Sequence, residues 1–85
     1  MSENMSVEEI FQIMQELVAE EFVMEPESVT MDTSFEDDLG ANSVDLVELA
    51  MAMEERFEIE EVPEEELPAL KTVGDAVRFL AGRLK

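Results

Sequence analysis

Three times along this chain a helix-capping residue is followed, three positions later, by an acid and then by apolar residues at helical spacing. The pairs are Ser6 with Glu9, Asn42 with Asp45, and Thr72 with Asp75. A Ser, Thr or Asn side chain in the first position accepts a hydrogen bond from an otherwise unpaired N–H of the first turn. The acid three residues on can in turn accept from the cap's own N–H. Such signals bias a segment to helix before any tertiary contact forms.

The apolar patterns behind the caps agree. Val7, Ile10, Phe11, Met14, Leu17 and Val18 recur with a helical period and predict a first helix over about 6–21, with only Ile13 off the stripe. Leu46, Leu49, Ala50, Met53 and Phe57 share one face of a second helix over about 43–57. Val73, Ala76, Val77, Leu80 and Leu84 give the stripe of a last helix that ends near 82. Between these two, Val62-Pro63-Glu64-Glu65-Glu66-Leu67 reads as a short helical turn, with Pro63 at its first position and Pro68 stopping it. The expected fold is all-α, a small antiparallel four-helix bundle of three main helices and one short one. It forms a single domain over 1–85 with its core in about 6–82, and residues 1–5 read as a frayed start.

Residues 22–42 hold no periodic segment. That is long for a connection in a small domain, where about 4–6 residues is usual, and long loops are commonly functional or packed by their own side chains. Phe22, Val23, Val29, Met31, Phe35 and Leu39 are expected to pin this one over the helices, with a single turn at Glu36-Asp37-Asp38 before Leu39-Gly40.

Composition narrows the chemistry. A chain of 85 residues has no room for the enclosed substrate cavity most enzymes use. There is no Cys and no His, so no disulfide, no thiolate metal site, no thiol nucleophile and no Ser-His-Asp arrangement can be built. The expectation is a protein that is not an enzyme and holds no resident metal. The net charge of −18 sets it against nucleic acid and anionic membranes. All five bases lie after residue 55, whereas 16 of the 23 acids lie within residues 1–55. The first two thirds is thus an acid-only surface suited to basic patches on partners. No apolar stretch approaches the ~20 residues of a membrane span, and the first residues are acidic rather than basic. A cytoplasmic monomer is expected.

The second helix carries a further signal. Opposite its core face lie Val44, Glu48, Met51 and Glu55, with Val47 and Glu54 at the edge. A helix that buries one face normally keeps the other polar. Apolar Val44 and Met51 framed by acids therefore mark a partner-binding strip.

Leu39-Gly40-Ala41-Asn42-Ser43-Val44 leads into that helix. Gly40 allows a tight path, Asn42 caps, and Ser43 becomes the first helical residue. Its hydroxyl stands among unpaired N–H groups at the positive end of the helix dipole, where an esterified phosphate would meet donors and favourable potential. On local residue types alone, Ser43 reads rather as an ordinary polar residue tolerated in a first turn.

The longer stretch is more specific. Leu39-Gly40-Ala41-Asn42-Ser43-Val44-Asp45-Leu46-Val47-Glu48-Leu49, followed by Met51-Ala52-Met53-Glu54-Glu55-Arg56-Phe57, resembles the prosthetic-group motif of acyl carrier proteins. Thr33-Ser34-Phe35-Glu36-Asp37-Asp38 before it, and Val62-Pro63 and Thr72-Val73 after it, extend the likeness over about 6–82. The resemblance implies that Ser43 accepts a 4′-phosphopantetheine arm from coenzyme A through a separate phosphopantetheinyl transferase. It implies that acyl chains then ride on the arm's thiol between enzymes of fatty-acid or polyketide-like synthesis. Asn42, Val44, Asp45, Val47, Glu48, Met51, Glu54 and Glu55 would meet basic patches on those acyl-handling enzymes. Asn42 stands where the family usually has Asp, and Val44 where it usually has Leu, which leaves the pathway open between primary and specialised synthesis. Met53, Phe57 and Leu80 are expected to line the space that takes the acyl chain.

Two other readings compete. An aminoacyl or peptidyl carrier of non-ribosomal synthesis has the same architecture. A calcium-responsive module suits a small, acidic, Met-rich helical chain, but no D-x-[DN]-x-[DN]-G loop with a trailing Glu occurs. A hydrolase using Ser43 fails for want of a suitable base.

Overall fold

The computed structural model describes residues 6–84; the frayed start expected over 1–5 lies outside them. All three capping pairs close as reciprocal boxes. Ser6 Oγ accepts from Glu9 N–H at 3.1 Å while Glu9 Oε1 accepts from Ser6 N–H at 2.9 Å, and Asn42–Asp45 and Thr72–Asp75 do the same. They open α1 (Val7–Phe22), α2 (Ser43–Phe57) and α3 (Val73–Arg83). Each boundary agrees with the periodicity to within a residue.

One core joins the helices. Ile10, Met14 and Val18 of α1 meet Leu49, Met53 and Phe57 of α2 and Val73, Ala76, Val77 and Leu80 of α3. Fully burying an Ile, Leu or Met contributes about 2 kcal/mol, so this set supplies most of the driving force. Two residues depart from the expected α1 stripe. Val7 is 50% exposed because the first turn overhangs the core, and Ile13, though off the stripe, packs partly buried against it.

The short helix runs over Glu64–Ala69 in 3-10 geometry. Pro63 caps it rather than beginning it, and Pro68 lies inside rather than stopping it. A 3-10 turn needs few donors, and the one that proline lacks falls in an exposed stretch where water can solvate the freed carbonyl. Arg83 reaches back to Glu66 at 3.7 Å and lies over the Phe79 ring, tying this element to α3.

The long connection from α1 to α2 is clamped, chiefly through its backbone. Val29 and Phe35 are buried, and Phe22, Met31 and Leu39 pack on the core. Val23, expected among the pins, is instead 89% exposed, because it adopts the left-handed conformation that ends α1 and turns its side chain outward. A single 3-10 turn, Pro26–Ser28, sits where no element was expected. Gln15 donates from α1 to the Val29 carbonyl at 2.9 Å. Further along, the Met31 and Thr33 carbonyls accept from Gly74 and Val73 at 2.8 and 2.9 Å, and Phe35 donates to the Lys71 carbonyl at 3.0 Å. Gly74 is required there: a Cβ would lie 2.8 Å from the Met31 oxygen. No helix among the described residues is long and apolar enough to cross a membrane.

Candidate functional site

The approach to Ser43 is built from backbone outward. Gly40, at φ +65°, makes the left-handed step that glycine takes without a Cβ penalty. Ala41 then donates to the Phe35 carbonyl at 2.8 Å and buries its methyl, and Asn42 Oδ1 accepts from Asp45 N–H at 2.9 Å. Ser43 follows as the first residue of α2, with its side chain exposed.

What distinguishes this helix start is what it leaves unpaired. In α3 the first two N–H groups, of Val73 and Gly74, are taken by loop carbonyls. In α2 the corresponding groups of Ser43 and Val44 have no partner among the described residues, and neither does the Ser43 hydroxyl. Among the described residues the start of α1 is open too, but its serine is the cap, and that hydroxyl is already used by Glu9 N–H. A free hydroxyl beside free donors thus occurs at Ser43, where the helix dipole favours an anion.

Ser43 also borders an open cleft of about 1060 Å³ between the first half of α2 and the segment 64–72. Phe35, Ala41, Leu46, Leu67 and Leu70 supply its apolar lining, while Asn42, Ser43 and Thr72 supply polar groups. Beneath it, Phe35, Leu46, Leu67 and Leu70 also border a gap of about 10 Å³ that reaches Leu49 and Met53. The apolar path therefore runs inward, nearly closed at its inner end. Of the residues expected to line an acyl site, Met53 lines this gap. Phe57 and Leu80 line neither space, because both are committed to the core that joins α1, α2 and α3.

The expected strip divides in two. Val44 and Met51 are 62% and 60% exposed. Glu48, Met51, Glu54 and Glu55 border a shallow depression on the outer face of α2. Val47 turns toward the cleft, which Asn42, Val44 and Glu48 also line. Two of the acids have structural employment as well. Asp45 completes the capping box, and Glu54 Oε2 accepts from Val62 N–H at 2.7 Å, holding the chain that leaves α2.

Glu21, which no sequence pattern singled out, joins this surface from the last turn of α1. Its carboxylate and those of Asp45 and Glu48 lie within 4.8 Å of one another. A hydrogen bond to Glu48, then partial burial and the charges of Glu48 and Asp45, hold the Glu21 carboxyl above the usual range. The signal for it was faint: an acid in the last turn of a helix, where the dipole disfavours one and where α1 has no base. Its neighbours lie on another helix, out of reach of local patterns.

Comparison with known proteins places the fold and site in a family. The family described as "Phosphopantetheine attachment site" matches residues 12–80. An acyl carrier protein of Prochlorococcus marinus (strain MIT 9515) is 47% identical over 79 residues, covering 93% of this chain and 98% of that protein. One of Wolinella succinogenes is 48% identical over 71 residues, covering 84% and 92%, and one of Sulfurovum sp. (strain NBC37-1) is 45% identical over 71 residues, covering 84% and 93%. The chain belongs to the acyl carrier protein family. It is a carrier and not an enzyme, and its cofactor is 4′-phosphopantetheine, held covalently. The head of α2 fits that group, with a free hydroxyl for the ester, free N–H donors for the phosphate and a cleft beside them.

Proposed function

We propose that Ser43 is the attachment point of the arm and that the chain shuttles acyl groups, as thioesters, between enzymes of fatty-acid or polyketide-like synthesis. The carrying observation is the exposed, unpaired Ser43 hydroxyl at the open start of α2, on the edge of the cleft. The arm's terminal thiol supplies the thioester chemistry that this Cys-free chain lacks. The chain's own residues would present it: Asn42 and Asp45 fix the helix start, and the Ser43 and Val44 N–H groups would be available to the phosphate. The apolar lining from Phe35 to Leu70 offers shelter to an acyl chain.

Val44, Glu48, Met51 and Glu55, with Asn42, Asp45, Val47 and Glu54 beside them, form the surface offered to the phosphopantetheinyl transferase and to acyl-handling enzymes with basic patches. Charge-steered association is fast, and modest apolar contact lets each partner go, as a shuttle requires. A cytoplasmic monomer suits this role. The relatives' name, acyl carrier protein, favours acyl cargo over an aminoacyl or peptidyl cargo.

Intact-mass analysis after incubation with coenzyme A and a broad-range phosphopantetheinyl transferase tests the assignment. The wild-type chain gains one phosphopantetheine and Ser43→Ala gains none. A wild-type chain that stays unmodified, or a Ser43→Ala chain that is modified, overturns it.

A further inference from the structure

Among the described residues that line the cleft Lys71 is the only cation, and Glu36, Asp37, Glu48 and Glu64 line it too. Arg56, Arg78 and Arg83 each find an acid within 4 Å, whereas the Lys71 ammonium makes no ion pair among the described residues. Its backbone is nevertheless held firmly. The Lys71 N–H donates to Asp75 Oδ2 at 3.1 Å, and its carbonyl accepts from Phe35 N–H at 3.0 Å. The Phe35 carbonyl in turn accepts from Ala41 N–H at 2.8 Å, two residues before Ser43. Two backbone hydrogen bonds thus connect the root of Lys71 to the segment that delivers Ser43. A fixed root with a free, exposed head leaves a mobile cation beside the attachment site.

We propose that Lys71 is the counter-cation for the phosphodiester on Ser43, drawing the arm across the cleft toward residues 67–72. The inference rests on the Ser43 assignment above. A phosphodiester adds one more negative charge to a molecule already at −18, next to Asp45 and Glu48. The Ser43 and Val44 N–H groups offset part of that cost, but neutral donors leave the charge in place. An ammonium on a four-carbon stem offers three donors and can follow the phosphate as it moves. The contact is solvent-exposed and hence screened by salt. A partner's basic patch can substitute for it, so the same contact that parks the arm lets a partner release it.

Amide NMR spectra of the chain before and after attachment of unacylated phosphopantetheine test this, with intact mass confirming the attachment. In the wild type, attachment is expected to displace amide signals on both walls, at residues 42–45 and at 67–72. In Lys71→Gln the displacement at 67–72 falls by about half or more while that at 42–45 remains, and Lys71→Arg, which keeps the charge, restores it. In the wild type alone, raising NaCl to about 1 M, where the Debye length is about 3 Å, moves the 67–72 signals back toward their unmodified positions. This salt arm needs no variant, so it decides the matter even if a substitution impairs modification. Equal displacements in wild type and Lys71→Gln, a wild-type response confined to 42–45, or one indifferent to salt, overturn the role of Lys71. Absence of any mass gain on the wild-type chain is the distinct result that removes the Ser43 assignment, and this inference with it.

Discussion

Val23 joins the greatest exposure of any large apolar residue described to a backbone conformation that its side chain opposes. At φ 53° and ψ 66° it sits in the left-handed region, and Met24 N–H closes the end of α1 onto the Ala19 carbonyl at 3.0 Å. That hydrogen-bond pattern usually employs glycine. For an L-residue the conformation costs about 1–2 kcal/mol, and glycine recovers it less the greater entropy it loses on folding. With the side chain 89% exposed, little packing is forfeited. Val23→Gly is therefore expected to stabilise the fold by about 0.5–1 kcal/mol, a rise of a few degrees in Tm for a domain of this size. A thermal melt that is unchanged or lowered contradicts the strain argument. Glu21 provides a second test, with a definite pH sign. Its pKa is raised in the folded state, so the native fold favours the protonated carboxyl. The stability this gives is present below the unfolded value near 4.5 and is lost as pH rises through the folded one. Glu21→Gln keeps a donor toward Glu48 without the charge. It should raise Tm at neutral pH, and its advantage over the wild type should shrink toward about pH 4. Melts at several pH values read this directly; an advantage independent of pH would assign the effect to something other than titration.

At the level of elements, the three α-helices were legible because everything that defines them is local. A cap, an acid three residues on and a stripe with a 3.6-residue period all lie within one segment, and the boxes at Ser6, Asn42 and Thr72 close as that pattern requires. The path of the long loop was not legible. Its decisive contacts are backbone hydrogen bonds from Met31, Thr33 and Phe35 to residues 71–74, about forty positions away, and they carry no side-chain signature. The place of Ser43 at the head of α2 was legible, since the stretch that sets it is contiguous. The cleft Ser43 borders was not, because one wall is contributed by 64–72. Lys71 and Glu21 went unnoticed for the same reason. Gly74 is where the loop and α3 press closest, and Gly74→Ala measures that contact. Alanine would gain up to about 1 kcal/mol of helix propensity, but its methyl must displace the Met31 carbonyl, and overpacking of that kind costs about 1–3 kcal/mol. A net loss of about 1–2 kcal/mol is expected, with amide signals shifting along 31–41. A stabilised variant would mean that the loop gives way freely and that α3 does not hold it in place.

For the whole molecule, charge is the term that no single contact offsets. The described chain measures 37 × 29 × 18 Å, with a radius of gyration of 11.9 Å, about the size expected of a well-packed domain of this length. Into that volume folding gathers a net charge of −18. The three ion pairs among the described residues are largely surface contacts, each worth at most about 1 kcal/mol. At about 0.01 M salt the Debye length is about 30 Å, longer than two of the three dimensions, so carboxylates on opposite faces still repel. At about 0.1 M it is about 10 Å and each acid feels only its neighbours. The expanded unfolded chain suffers less from the same charges, so screening must favour the folded state. Tm should therefore climb with NaCl, most of the rise coming below about 0.1 M. KCl should serve equally well, because screening depends on ionic strength and not on the identity of the cation. Melts across a salt series check this. A flat profile would mean that repulsion between the faces is already negligible, whereas a rise seen with only one of the two cations would point to ion binding in place of screening. The same dependence bears on the proposed partner surface: salt that stabilises the carrier would also weaken attraction to a partner's basic patch. Docking rates should fall over the range in which Tm rises, and measuring both on one sample tests whether a single acidic surface governs the two.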